Sequence, residues 1–142
     1  MMRKLNRRGG AGLEFCLVAV PLFTLMFLIF DLARYAITAQ SLHVLADAAA
    51  RGIMINCYTN NAVQQQWSSI GTNCASNPLS TTQMKAVAPF LYLGGLTPTL
   101  SVTNSSSTSA LTVTASQTGF AMIMPIWGNK LNAPSASTSI PY

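Results

Sequence analysis

Residues 15–30 read FCLVAVPLFTLMFLIF, an uncharged run of sixteen residues. With Leu13 before it and Leu32 after it, the run approaches the roughly 20 apolar residues that carry a helix across a bilayer. Glu14 and Asp31 mark its two ends. Asp31 and Arg34 lie three residues apart, a spacing that brings acid and base together on a helix, so an interfacial ion pair is expected there. Pro21 removes one backbone donor, which membrane helices tolerate. Working outward, Arg3, Lys4, Arg7 and Arg8 cluster before the run. The positive-inside rule then places the N-terminus in the cytoplasm and the rest of the chain across the membrane. A cleaved secretory signal would have a shorter apolar core and a small-residue cleavage site. Here Asp31 and Arg34 stand where that site belongs.

The composition agrees with a chain split by a membrane. Half of its 142 residues are hydrophobic and 8% are charged, with a mean hydropathy of +0.37. A globular domain usually carries about a quarter charged residues. Beyond Arg51 there is no Asp, Glu or His, and the basic residues are Lys85 and Lys130. Removing the four basic residues of the leader takes the formal charge from +5 to +1. The basic character therefore reports topology, because a nucleic-acid surface needs a basic stripe across the folded part. No nucleic-acid partner is expected.

The helix is expected to continue past the membrane to about residue 55. Leu32, Tyr35, Ala39, Leu42, Ala46, Ala49 and Ile53 repeat at steps of three and four, one apolar stripe that fits packing on the chain's own domain. Asp47 and Arg51, four apart, add an acid-before-base pair. Gly52 weakens the helix, and Asn56 is a candidate terminator. A second short helix is expected within residues 81–93, interrupted by Pro89 and ended by Gly94 and Gly95. The period then changes. Leu100 and Val102, then Leu111, Val113 and Ala115, alternate with Ser and Thr as half-buried strands do, around a polar connection at 104–109. Residues 120–126 read as a further extended segment broken by Pro125, and the tail at 133–140 as a last strand. The fold class is thus α+β, a long N-terminal transmembrane helix continuing into a small domain with an antiparallel sheet. Such a sheet is too small to stand alone and should pack on the helix.

Cys57 and Cys74 fall on the exported side, where an oxidising compartment favours a disulfide. Closing a loop of that size contributes about 3 kcal/mol. Cys16 lies in the apolar run as a small hydrophobe. His43 has no second ligand nearby, so neither a metal nor a cofactor is expected. General acid–base chemistry needs a titratable pair, and the exported part offers tyrosines, cysteines, Lys85 and Lys130. The chain reads as a non-enzyme with no catalytic residues. Gly94-Gly95-Leu96 is too short for a phosphate loop and reads as a turn.

Residues 7–15, RRGGAGLEF, set four residues between Gly9 and Glu14, directly ahead of the apolar run. This resembles the class III signal peptide of type IV pilins and pseudopilins, which a membrane aspartyl prepilin peptidase cuts after the glycine. The resemblance implies cleavage between Gly9 and Gly10, with Glu14 as fifth residue of the mature chain. Glycines leave the backbone extended and accessible to a protease. The wider run, 7–34, resembles the TadE-like minor pseudopilins of the tight-adherence (Flp) pilus system. It carries the proline-containing apolar run, Asp31-Leu32-Ala33-Arg34, and further on Ala48-Ala49-Ala50-Arg51. The tail LTVTAS and SASTSIPY is similar more loosely, and residues 56–98 match no motif. Major Flp pilins are much shorter and usually have Tyr after the glutamate; Phe15 stands there here, which favours a minor pseudopilin.

The resemblance implies a pilin-like structural or assembly component acting through helix packing. Its partners would be prepilin peptidase, other pilins or pseudopilins, the pilus assembly platform and the bilayer. It also implies a role for Glu14, attracting the freed amine of a neighbouring subunit's Gly10, since a carboxylate at the edge of an apolar helix needs a partner. The expected divisions are a leader at 1–9, a transmembrane helix at 10–34, its periplasmic extension at 35–55 and a disulfide-containing domain at 56–142. The location implied is the bacterial inner membrane, with incorporation into an extracellular pilus open. The alternative is an uncleaved signal-anchored periplasmic protein that binds another envelope component.

Overall fold

The computed structural model describes residues 7–65, 74–105 and 109–141. The expectations for Arg3 and Lys4 lie outside these residues, as do parts of the loop between the two exported cysteines and of the connection at 104–109.

One helix, α1 (Arg7–Ile53), dominates the chain with 47 residues. At 1.5 Å per residue it is about 70 Å long. Among the described residues, none from Gly12 to Phe30 is buried. Leu17 is 71% exposed and Leu22 62%, and the most apolar 18-residue window of the helix contains no buried residue. Its second half is the spine of a domain. Leu42, Leu45, Ala46, Ala49, Ala50 and Ile53 are all buried.

α1 does not stop near Asn56. It widens into a π-helical turn (Met54–Tyr58) and resumes as α2 (Thr59–Val63). Gly52 lies within the helix, and the space its missing Cβ leaves is occupied: a Cβ there would meet the Pro78 ring at 3.3 Å. Glycine at this point lets the incoming segment cross close to the helix. That segment leads into α3 (Thr81–Val87), opened by a capping box in which Ser80 and Gln83 satisfy each other's backbone N–H groups. A 3-10 segment (Pro89–Gly95) follows, with Gly94 and Gly95 at positive φ.

The sheet is a three-stranded antiparallel meander of β1 (Thr99–Ser105), β2 (Ala110–Ser116) and β3 (Ser135–Pro141). Its register sets Leu100 opposite Ala115, Val102 opposite Val113 and Leu111 opposite Ile140. Strand alternation then gives the sheet two unlike faces. Leu111, Val113, Ala115, Ala136 and Ile140 are buried against α1. The other face carries Thr99, Ser101, Thr103, Thr112, Thr114, Ser116, Ser135, Ser137 and Ser139. The expected α+β arrangement, sheet against helix, is the one observed. Residues 120–126 differ: they form no strand, and a 3-10 turn (Pro125–Trp127) closes the segment.

Candidate functional site

The chemistry-bearing residues lie along α1, and the structure treats them differently. Gly9 and Gly10 are within the helix, so the peptide between them is helical rather than extended. A protease would have to unwind it, and paired glycines lower that cost. Glu14 is exposed on the same helix, and among the described residues it forms no ion pair. Its flanks, Leu13, Phe15 and Leu17, are all exposed.

Asp31 is the exception on the exposed half of α1, with 2% of its surface exposed. Its carboxylate accepts hydrogen bonds from the backbone N–H of Ile123 and of Met124, each at 3.0 Å. Arg34 Nη1 lies 3.5 Å from Asp31 Oδ1, the spacing of a loose ion pair. The Arg34 guanidinium also sits over the Phe120 ring, 5.4 Å from its centroid, and Tyr35 tilts against the same ring at 6.3 Å. A buried carboxylate is costly unless its oxygens are hydrogen-bonded, and here two backbone amides and a cation do that. Asp31 therefore joins the end of the apolar run to a loop more than ninety residues away in sequence.

That loop spans the 18 residues 117–134 between β2 and β3. Its neck is closed by Gln117 N–H donating to Pro134 O and Ala133 N–H donating to Phe120 O. Asn132 Oδ1 accepts from the Met122 amide at 3.0 Å. Gln117 is buried and donates through Nε2 to Leu91 O at 2.9 Å, tying the neck to the 3-10 segment. Sequence reasoning paired Asp31 with Arg34 and missed the loop. The available signal was Asp31 itself, an acid at the end of an apolar run with one nearby cation and unfilled acceptor capacity.

At the far end of α1, Cys57 in the π turn and Cys74 form a disulfide, with Cα atoms 5.6 Å apart. Asn61 donates to Cys57 O at 3.0 Å, and its amide nitrogen also lies 3.3 and 3.5 Å from the two sulfurs. Asp47 turns toward the sheet and accepts from the Thr138 hydroxyl at 2.6 Å. Among the described residues its carboxylate makes no ion pair with Arg51. Lys85 lies over the Tyr92 ring at 5.4 Å, a cation–π contact. Burial pushes the Tyr92 phenol above its ordinary value. Cys16 and His43 are exposed on α1.

Comparison with known proteins picks out the same helix. Residues 9–51 match the family of TadE-like proteins. This segment is TadE-like. The match is under a third of the chain, and it takes in Glu14, the apolar run, Asp31, Arg34 and most of the buried stripe on α1. The sheet, the disulfide and the loop that holds Asp31 fall outside the TadE-like segment. No curated protein and no solved structure matches the chain.

Proposed function

We propose that this chain is a membrane-anchored minor pseudopilin, a structural component of a tight-adherence pilus or a related secretion apparatus. One observation carries the reading. The TadE-like segment coincides with a helix whose first half leaves its large apolar side chains bare, while its second half is locked into a folded domain. The bare half suits lipid and the helices of like subunits. Leu, Phe and Val there offer van der Waals surface, which lipid and protein satisfy about equally, so docking needs a polar determinant. Glu14 supplies one. Cleavage between Gly9 and Gly10 by prepilin peptidase would remove the basic leader and create an amine for a neighbour's Glu14 to pair with. In this reading the N-terminus is cytoplasmic, the domain periplasmic, and the disulfide a product of that compartment.

N-terminal sequencing of the protein extracted from membranes tests the first step. Gly10 as first residue is expected, and Gly9→Val should leave the full-length precursor. Glu14→Ala should still be cut, yet fail to crosslink to other pilin-like subunits or support pili. Normal piliation in that variant would reduce Glu14 to a boundary residue. The helical backbone through Gly9 and Gly10 favours a second reading, an uncleaved anchor serving another envelope component. Met1 as first residue would establish it.

A further inference from the structure

We propose that the loop between β2 and β3 is a second membrane contact, whose tip at Ile123, Met124 and Ile126 seats in the headgroup region of the leaflet facing the domain. The proposal rests on residues 15–30 being the membrane span. Its argument begins with depth. Asp31 closes the apolar run, and it holds the amides of Ile123 and Met124 directly. The tip is therefore fixed at the level where the span ends, rather than out on the domain.

The tip has the composition for that position. Ile123 is 74% exposed and Ile126 64% among the described residues. No charged residue occurs between Lys85 and Lys130, so no charged side chain in the tip resists leaving water. Lys130 follows Trp127 by three residues, where an ammonium would meet anionic headgroups. Connections longer than about 12–15 residues are uncommon in compact domains and are usually functional. This one is held closed at its neck, so its tip projects with a set orientation.

The helix side continues the same surface. An open cavity of about 370 Å³ lies between the span and the tip, lined by Phe27, Phe30, Asp31, Arg34, Ile123 and Met124. Its walls are mostly apolar, with the half-exposed Arg34 at the rim. A phospholipid fits both features, an acyl chain along Phe27, Phe30 and Ile123 and a phosphate at Arg34. Lipid is thus the occupant that continues the span's own interface.

Nitroxide labels read by electron paramagnetic resonance test this in the full chain with Cys16→Ala and the disulfide intact. The protein is placed at low density in phosphatidylethanolamine–phosphatidylglycerol vesicles, with single labels at Leu22→Cys, Ile123→Cys, Ile126→Cys or Ser101→Cys. Oxygen should relax the Leu22, Ile123 and Ile126 labels more than a water-soluble nickel chelate does, and the order should reverse at Ser101. If Leu22 reports lipid while Ile123 and Ile126 report water, the loop contact is overturned and the span stands. If Leu22 reports water, the span itself fails. Shielding of Ile126 from both reagents, with dipolar broadening, would put a second protein on the tip and also overturn the proposal.

Discussion

The two halves of α1 are made of similar apolar material and meet opposite fates. Residues 13–30 carry Leu, Phe, Val, Met and Ile around the whole circumference, and nearly all are exposed. Residues 39–53 carry one stripe rich in alanine, and that stripe is buried while His43, Val44 and Asp47 remain outside. Side-chain size and angular spread account for the difference. Alanine lets the sheet backbone approach the helix along one side, whereas a helix that is apolar all round has no polar face to turn to water and suits a lipid environment. The exposed half would be a severe liability in water, since soluble monomers rarely bare contiguous apolar patches beyond a few hundred Å².

The sharpest way to break this comparison is the same substitution in both halves. Leu45 is fully buried between the sheet and α3, so Leu45→Ala should destabilise the domain by about 2–5 kcal/mol through lost transfer energy and a cavity. Leu22→Ala should leave the domain's unfolding midpoint unchanged, because Leu22 is 62% exposed on a stretch of α1 that contains no buried residue. Denaturation in detergent followed by near-ultraviolet circular dichroism reads both. Next in size is the disulfide, which fastens the far end of the buried half. Cys57→Ser with Cys74→Ser should cost about 3 kcal/mol in the same assay.

The smallest expected effect is at the junction of the halves. Asp31→Ala leaves two loop amides without their acceptor, a loss of about 1–3 kcal/mol if water does not replace it. Asp31→Asn keeps one acceptor oxygen and should restore part of it. Hydrogen exchange at Ile123 and Met124 should rise in the alanine variant while β2 stays protected. Unchanged exchange there would mean that the loop is held by its neck alone.

Much of this comparison could be read in advance, and the exceptions have physical causes. The stripe from Leu42 to Ile53 and the alternation through Leu111, Val113 and Ala115 each carry a period that survives in three dimensions. Residues 120–126 looked extended because they are apolar, but a strand needs free amides. Those of Ile123 and Met124 are taken by Asp31, that of Met122 by Asn132, and Pro125 has none. The helix ran past Asn56 for a similar reason. Gly52 is filled by Pro78, and Asn61, not Asn56, supplies the side-chain amide that bonds back to the helix at Cys57. Long-range partners of this kind leave no mark in local periodicity, so the contact of Asp31 with the loop was not legible.

The claim that α1 is divided at Asp31, lipid-clad before it and part of a domain after it, is tested most directly by a cysteine scan of the helix in intact cells. In a Cys16→Ala background, single cysteines from Leu13 to Ile53 are treated with a membrane-impermeant maleimide. The account predicts no reaction at residues 13–30, then a helical rhythm: reaction at Gln40, His43 and Val44, and none at Leu42, Leu45 or Ala49. The same rhythm running unbroken through residues 13–30 would contradict it.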